Sequence, residues 1–285
     1  MLAIEPKIPE MAPYVKARAL SDMAYRQAQT TVPSQQIISM MNLNPEDYVA
    51  APQALKLCQQ ANDELVDLVQ THPDQFVGAV AMLPLNNRAG VEAIMTEQVA
   101  KSAQLFGVQL FTRALGKSIA DADFDYIFAL ANRLNFPIWL HPVFDDRKPD
   151  NNIVFSWEYE LTLAMQQLVT NGIFQKYPNL KIIVHHAGAM ASFFAGRINA
   201  IIPADQAADF RKFYVDTAIL GNPTALKLTT EFFGVEHVLF GTDAPLGIAP
   251  VGATKQIIDA IMTMTDQPDM QQQILSSNPR TLLSL

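Results

Sequence analysis

FVGAVAMLPLNNRAGVEAIMTEQVAKSAQLFGVQLF, residues 76–111, contains one complete strand–helix–strand unit. FVGAVAML (76–83) and FGVQLF (106–111) are short apolar runs rich in strand-forming residues. Between them, AGVEAIMTEQVAKSAQL repeats its apolar residues every three and four positions, as an amphipathic helix does. Two apolar strands joined by a helix are typical of parallel pairing, because such a connection must cross the sheet. This stretch therefore predicts a parallel sheet covered by helices.

The same alternation covers almost the whole chain. Five further runs are predicted as strands: QIISMMNL (36–43), PIWLHPV (137–143), KIIVHH (181–186), FYVDTA (213–218) and HVLFGTD (237–243). With MLAIE as a short or incomplete first strand, eight strand–helix units predict a distorted α/β fold of the (β/α)8 TIM-barrel type. No linker or repeat interrupts the pattern, so we expect one domain over residues 1–285, with 1–35 as an irregular N-terminal arm.

Composition narrows the class of protein and partner. Hydrophobic residues make up 49% of the 285 residues and charged residues 17%, as in globular proteins. The 28 acidic and 20 basic side chains give a net charge of −8, which argues against nucleic acid as a partner. No apolar run is long enough for a membrane span, and no leader pattern begins the chain. With a single cysteine, Cys58, expected in the core, these features predict a cytoplasmic location.

The histidines differ in their predicted positions. His141 and His186 end predicted strands, where a TIM barrel places its reactive groups. His72 lies on a connection and His237 begins a strand, so both are expected to have structural roles. Adjacent strand residues point to opposite faces; we therefore assign His186 to the mouth of the barrel and His185 to a structural role at the helix layer.

Asp243 follows the apolar run HVLFGT and is predicted to lie at the same rim as His141 and His186. A single aspartate at a strand end is usually a loop cap. Three ionisable groups at three strand ends are harder to explain by packing, because buried charges need partners or a metal. Imidazole and carboxylate ligands suit a cation such as zinc.

Several ordered blocks resemble a known family. They are THPDQFVG, FPIWLHP, the run from FSWEY to HHAGAM, FFAGRI, FYVDTA, HVLFGTDAP and SNPRTLLSL, and they extend from about His72 to the C-terminus. The chain resembles the amidohydrolase superfamily, in the amidohydrolase-related branch that includes aminocarboxymuconate-semialdehyde decarboxylase and the resorcylate decarboxylases. The resemblance implies an enzyme with a barrel fold.

The resemblance also implies individual roles. His141 matches a metal-ligating histidine, and His186 matches a histidine that activates metal-bound water or transfers a proton. Asp243 matches an aspartate that binds the metal and can act as a base. Arg197 of FFAGRI matches an arginine near the substrate carboxylate, and Trp157 of FSWEY resembles a pocket wall. For the last two, a surface arginine and a core tryptophan are the structural alternatives.

The implied cofactor is a divalent metal, with zinc expected and manganese as the alternative. The implied partners are a small-molecule carboxylate substrate and a second copy of the chain in a homodimer. Decarboxylation of a small cyclic or unsaturated acid is the activity that the resemblance favours. Hydrolysis of a small ester, lactone or amide is the alternative, because both reactions can use the same residues.

The first strand departs from the family pattern. Members carry His-x-His or Glu-x-His there, whereas this chain has no histidine before His72. Either a preceding first strand is missing, or MLAIEPK is a diverged first strand in which Glu5 is the one plausible ligand. HAGA also replaces the glycine-rich HGGG of many relatives. An active metal-dependent enzyme and a metal-free pseudoenzyme that binds small acids therefore both stay open.

The connection VFDDRKPDNNIVFS (143–156) contains four consecutive charged residues, Asp145, Asp146, Arg147 and Lys148. Charge runs in loops are usually solvated, and we expect the same here. The substrate itself is not named by the sequence, because it depends on this loop and on residues 244–252.

Overall fold

A computed structural model describes residues 17–40, 44–145, 147–148 and 152–285. Its contacts divide the chain into two compact units. Within the described residues, unit 1 is Ser34–Ile183, and unit 2 is 17–33 together with Val184–Leu285. Each unit is considered by itself, and the single-domain interpretation of the sequence stays a prediction.

All seven strands predicted between residues 36 and 243 are present, although most are shorter than predicted. A short antiparallel hairpin, β4–β5, was not predicted from the sequence. The strands are Gln36–Ser39 (β1), Phe76–Ala81 (β2), Leu105–Phe111 (β3), Arg113–Ala114 (β4), Lys117–Ser118 (β5), Ile138–His141 (β6), Ile182–Val184 (β7), Tyr214–Asp216 (β8) and Val238–Leu239 (β9).

The strands of unit 1 pair in parallel, β1 with β2, β2 with β3 and β3 with β6. In the last pair, Gln109 lies opposite Trp139 and Phe111 lies opposite His141, without a register shift. Parallel strands have their carboxyl ends at one edge of a sheet, where reactive side chains gather in TIM barrels. Phe111 and His141, the last residues of β3 and β6, therefore lie at this carboxyl edge.

Helices cover the strands, as the periodicity predicted. Their bounds are Arg18–Ser21 (α1), Met23–Gln29 (α2), Ala51–Thr71 (α3), Arg88–Ala93 (α4), Asp125–Leu134 (α5), Ser156–Thr170 (α6), Ile173–Lys176 (α7), Ala195–Ile201 (α8), Ala204–Asp209 (α9), Pro223–Phe233 (α10), Thr254–Met264 (α11), Pro268–Gln272 (α12) and Asn278–Leu283 (α13). Within the described part of the chain, no helix combines the length and the apolar composition that a membrane crossing requires.

Helix α3 shows how the sequence pattern becomes packing. Ala54, Cys58 and Leu65 are buried on one face of the helix, and burial raises the pKa of the Cys58 thiol. On the same helix, the buried Asn62 accepts from the Met82 amide at 2.7 Å and donates to the Met82 carbonyl at 3.2 Å. This pair of hydrogen bonds ties α3 to the end of β2. Cys58 is a core residue, as predicted.

In unit 2, β8 and β9 pair in parallel, with Asp216 opposite Leu239. Helix α10 connects them and begins with Pro223 after a helix cap, because the Asn222 side chain accepts from the Ala225 amide at 3.1 Å. This is the strand–helix–strand unit that FYVDTA and HVLFGTD predicted.

The N-terminal arm differs from its prediction where it is described. Residues 18–29 form two short helices, α1 and α2, instead of an irregular segment. The Asp22 side chain accepts from the Tyr25 amide at 2.8 Å, and this cap starts α2. The predicted first strand MLAIE, with its candidate ligand Glu5, lies outside the described residues.

Unit 1 buries a carboxyl group that has no basic partner in the described contacts. Glu46 is 5% exposed and its Oε2 makes no hydrogen bond. Its backbone is fixed, because the Asn86 side chain donates to the carbonyls of Glu46 at 3.2 Å and Val49 at 2.9 Å. Burial raises the pKa of Glu46 to about 8, helped by the charge of Asp47.

This buried acid predicts a pH-dependent stability. The folded state holds the Glu46 proton up to about pH 8, whereas the unfolded chain releases it near pH 4.5. The contribution of Glu46 is thus complete below pH 4.5 and is lost as the pH rises to 8. Urea unfolding at pH 5 and at pH 8 would measure this loss. The free energy of unfolding should fall less between the two pH values in Glu46→Gln than in wild type, and the difference should be on the order of a few kcal/mol.

The exposed acid Glu64 on α3 supplies the control. Glu64→Gln should keep the wild-type difference between the two pH values. An unchanged difference in Glu46→Gln would show that this carboxyl does not carry the predicted proton.

Candidate active site

His141 ends β6 and is buried. Its Nδ1 lies 2.6 Å from the carbonyl oxygen of Pro142. A carbonyl oxygen only accepts, so Nδ1 carries the proton and the lone pair of the neutral ring lies on Nε2. A backbone carbonyl orients many metal-ligating histidines in the same way. The ring of His141 is therefore held in the tautomer that a metal ligand needs.

Aromatic side chains surround this ring. The indole of Trp157 stands edge-on to His141, with 5.5 Å between ring centroids, and Phe111 lies at 6.3 Å. Phe144 contacts the same indole at 5.0 Å. Trp157 is buried near the start of α6. A substrate-binding role for Trp157 stays a prediction, and this packing places its indole directly beside His141.

The loop after His141 corrects the prediction for its charged residues. Asp145 is 2% exposed and is not a solvated loop charge. Arg113 Nε donates to Asp145 Oδ2 at 3.0 Å, and Arg147 Nε donates to Oδ1 at 2.6 Å. Burial alone would raise the pKa of Asp145, but the hydrogen bonds from Arg147 and Arg113 outweigh it and hold the pKa below its usual range. Asp145 is thus a buried anion between two cations.

The ionic contacts extend to the segment that contains Asp47. Arg147 Nη2 donates to Asp47 at 3.0 Å, and Asp47 also accepts from the Leu115 amide at 2.8 Å. The Asn44 side chain donates to the same carboxylate. The contacts join segment 44–47, hairpin 113–118 and the loop after β6. We call Asp47, Arg113, Asp145 and Arg147 the loop network.

The Lys148 side chain is largely shielded from solvent, contrary to the prediction of a solvated charge. Its ammonium lies 3.3 Å from Glu160 on α6, and the two side chains are 9% and 11% exposed. Glu160 lies one helical turn beyond Trp157. The ion pair therefore connects the loop after His141 to the helix that carries the indole. Asp146 lies outside the described residues.

In unit 2, His186 lies in a turn and not on a strand. β7 ends at Val184, and the φ angles of His186, Ala187, Gly188 and Ala189 are 57°, 58°, 70° and 55°. The alternation argument that separated His185 from His186 needs extended backbone, so its reason was wrong here. Positive φ costs a non-glycine residue roughly 1–2 kcal/mol. The turn that carries His186 is therefore strained.

Packing helps to fix this turn. Gly188 has no space for a side chain: an added Cβ would lie 2.6 Å from the Phe233 ring and 2.9 Å from Val215. The Ala189 amide donates to the His186 carbonyl at 2.8 Å. His186 itself is 8% exposed. The predicted proton-transfer group is thus a buried imidazole on a tightly packed, strained turn.

His185 pairs with an aspartate that the sequence analysis had given no role. Its Nδ1 lies 2.7 Å from Oδ2 of Asp216, the last residue of β8. Asp216 Oδ1 accepts from the Ala218 amide at 2.9 Å and from the Ala187 amide at 3.4 Å. Burial alone would raise the pKa of Asp216, but His185, His186 and the Ala218 amide outweigh it and hold the pKa below its usual range.

Asp243 lies in the loop after β9 and has φ +56°. The segment before it is fixed to β8, because Thr217 Oγ1 donates to the Gly241 carbonyl at 2.8 Å and accepts from the Gly241 amide at 3.1 Å. The segment after it contacts α2, where Arg26 donates to the Ala244 carbonyl at 3.5 Å. Backbone contacts on both sides therefore hold the Asp243 segment.

The remaining residues singled out from the sequence are Arg197, His72 and His237. Arg197 is exposed on α8, and its predicted contact with a substrate carboxylate stays a prediction. His72 ends α3 by donating its amide to the Leu68 carbonyl at 3.0 Å. The ring of His237 packs on Tyr214, with 4.5 Å between centroids. His72 and His237 thus have the structural contacts that were expected.

The donor chemistry of His141 fits a divalent cation, as its Nδ1 contact indicates. The carboxylate of Asp243 is also of a donor type that such cations accept. Among the residues that the structure describes, no three His, Cys, Asp or Glu side chains form a group that could hold a metal ion. The position at which the family supplies its first-strand ligands lies outside those residues.

A family model described as Amidohydrolase matches residues 25–285 of the chain. The chain belongs to the amidohydrolase family. The match contains every strand from β1 to β9, and it confirms the family resemblance predicted from separate sequence blocks.

Two relatives of this family member are decarboxylases. The chain is 27% identical to 2-amino-3-carboxymuconate-6-semialdehyde decarboxylase of Dictyostelium discoideum over 256 residues. The aligned region covers 84% of this chain and 69% of that protein. The chain is 29% identical over 230 residues to 6-methylsalicylic acid decarboxylase of Penicillium expansum, which covers 73% and 69%. The relatives thus agree with the branch of the family named from the sequence.

A solved structure shows the fold of this amidohydrolase. Dihydroxybenzoic acid decarboxylase from Polaromonas sp. JS666 matches with a TM-score of 0.80 and 20% identity, over 98% of this chain and 91% of that chain. The α/β barrel class predicted from the sequence is thereby confirmed. That structure contains bound manganese and the inhibitor 2-nitroresorcinol. The family fold therefore holds a divalent cation in this relative.

Sequence reasoning missed Asp145 and Asp216. Asp216 ends the predicted strand FYVDTA, so the position that singled out Asp243 could also have singled out Asp216. Asp145 was missed because four adjacent charges resemble a solvated loop, and its partner Arg113 is distant in sequence. Only the folded chain brings these groups together.

The loop network predicts a specific stability difference. Asp145→Asn would leave two guanidinium groups facing one acceptor oxygen. We expect the free energy of unfolding to fall by about 1–3 kcal/mol, less than for a fully buried pair because both arginines reach solvent. Urea unfolding monitored by tryptophan fluorescence would measure it.

Asp123→Asn is the matched control, because Asp123 pairs with Lys117 in an exposed position. Its effect should stay within about 0.5 kcal/mol. Equal effects in the two variants would contradict the distinction between the buried and the exposed aspartate.

Proposed function

We propose that this amidohydrolase is a divalent-metal-dependent carboxy-lyase that removes carbon dioxide from a small carboxylated cyclic or unsaturated acid. The observation that carries the proposal is the orientation of the His141 ring. Its Nδ1 is bound to the Pro142 carbonyl, and the Trp157 indole stands edge-on to it. The orientation leaves Nε2 as the ligand atom. The decarboxylase relatives support the choice of reaction and of a carboxylated aromatic or muconate-like substrate.

The ligand roles are assigned residue by residue. His141 and Asp243 are the proposed metal ligands, each because it matches a ligand position of the family motif. When bound, a divalent cation stabilises negative charge that develops on substrate oxygens. Zinc is the expected ion from the histidine and carboxylate donors, and manganese is the alternative supported by the Polaromonas relative.

His186 is the proposed proton-transfer group. An imidazole can give a proton to the substrate carbon that bears the carboxylate. The bond from that carbon to the carboxylate then breaks, its electron pair returns to the substrate, and carbon dioxide leaves. Asp243 is proposed as a base as well as a ligand. Trp157 would contact the flat face or edge of the substrate, and Arg197 would bind a carboxylate.

The finer statements on assembly and location are proposals too. We propose a homodimer, supported by exposed aromatic side chains such as Phe155 and Phe193, which are 76% and 73% exposed. We propose a cytoplasmic location, supported by the single buried cysteine, Cys58.

Metal content tests the ligand assignment. Wild type purified in metal-free buffer should contain near-stoichiometric zinc or manganese by inductively coupled plasma mass spectrometry. His141→Ala should lose the metal and lower decarboxylation of 2-hydroxylated benzoic acids by at least about 100-fold, because even a change beside a ligand costs about 10- to 100-fold in metal affinity.

His72→Ala is the control, since His72 ends α3 in the same unit. It should retain both metal and activity. Absence of metal from wild type would overturn the proposed metal dependence and would favour a pseudoenzyme that binds small acids.

A second variant separates proton transfer from metal binding. His186→Gln should retain the metal but lower kcat by about 100- to 10,000-fold, the range for loss of a general acid or base. Carbon dioxide release and metal content would be measured on the same preparation. If His186→Gln lost the metal together with its activity, His186 would be a ligand and the assigned role would be wrong.

A further inference from the structure

The turn that carries His186 has an unusual backbone. Residues 186–189 have positive φ, and three of them are not glycine. Such a conformation persists only when the surrounding structure fixes it. The contacts that fix this turn therefore determine where the His186 imidazole lies.

One carboxylate makes contacts at the start of this turn and beside it. Asp216 Oδ2 accepts from His185 Nδ1 at 2.7 Å, and Oδ1 accepts from the amides of Ala187 at 3.4 Å and Ala218 at 2.9 Å. His185 and Ala187 are the residues directly before and after His186. The two contacts thus hold His186 from both sides along the chain.

Asp216 is itself rigidly placed. It ends β8 and is 6% exposed. The chain passes so close to it at Gly241 that an added Cβ there would lie 2.7 Å from Asp216 Cβ. Thr217 exchanges two hydrogen bonds with Gly241, at 2.8 and 3.1 Å. The carboxylate cannot shift without moving the neighbouring segment.

We infer that Asp216 and His185 are positioning residues that hold the His186 imidazole in its reactive place. Asp216 acts through the His185 ring and the Ala187 amide, and neither Asp216 nor His185 needs to touch the substrate. The inference deepens the proposed function and rests on it, because it concerns the proton-transfer role of His186. It assigns a purpose to His185, the first histidine of the HH pair.

The donor count makes the role testable. Three N–H groups, from His185, Ala187 and Ala218, point at the two oxygens of Asp216. Asp216→Asn offers one acceptor oxygen and introduces an N–H₂ group, so at least one donor must face another donor. His185→Leu removes the side-chain donor. His185→Asn keeps an N–H₂ donor near the place of Nδ1 and should rescue the contact.

The kinetic readout is the separation of kcat from KM on an acid that wild type decarboxylates. Asp216→Asn and His185→Leu should lower kcat by about 10- to 100-fold and leave KM within about twofold. The reason is that a displaced proton donor reduces the stabilisation of the transition state but does not change substrate binding. His185→Asn should stay close to wild type. If Asp216→Asn does not fold, the comparison of His185→Leu with His185→Asn still tests the inference.

A matched control tests for a merely structural effect. Asp209 is another buried aspartate of unit 2, and it pairs with Lys212 at 2.7 Å. Asp209→Asn should change neither kcat per folded molecule nor KM. Losses that follow the folded fraction in all variants, including this control, would overturn the positioning role.

Hydrogen–deuterium exchange gives a readout that does not need activity. The peptide 184–191 should exchange several-fold faster in Asp216→Asn and His185→Leu than in wild type, His185→Asn or Asp209→Asn. Unchanged exchange in the first two variants would overturn the inference. If wild type decarboxylates no acid tested, the proposed function fails, and this exchange pattern still decides whether the pair holds the His186 turn.

Discussion

A buried carboxylate must be surrounded by donors, and this constraint shapes both units of the chain. In unit 1, Asp145 lies between two guanidinium groups. In unit 2, Asp216 receives an imidazole and two backbone amides. Asp145 follows a parallel strand, and Asp216 ends one. Asp145 fixes the loop after His141, and Asp216 fixes the turn that carries His186. The hydrophobic strands supply the frame, and these two anions determine where the loops lie.

The two predicted reactive histidines are prepared in different ways. His141 ends a regular strand, and one backbone carbonyl sets its tautomer. His186 lies where the strand has already ended, in a conformation that most residues avoid. A ligand needs a fixed lone pair, which a strand end and one hydrogen bond can provide. A proton donor needs an exact approach to a carbon atom, which strained and closely packed backbone can hold.

Much of this architecture was predictable from local patterns. Apolar runs and three-to-four periodicity located the seven strands and the helices between them, because burial of one face is encoded in neighbouring residues. Position at strand ends selected His141, His186 and Asp243. The pairing of His185 and the burial of Asp145 were not predictable in this way. Both depend on side chains that are distant in sequence, and the end of β7 at Val184 depends on backbone geometry that alternation rules do not contain.

The ion pair between Asp47 and Arg147 has a consequence for folding kinetics. Its partners are 100 residues apart in the chain. Closing so long a loop is entropically costly, so we expect this contact to form after β1, β2, β3 and β6 have paired. Interactions that form late contribute little to the folding transition state and mainly slow unfolding. We therefore expect the loop network to slow the unfolding of unit 1. It would lengthen the lifetime of the folded state without speeding its formation.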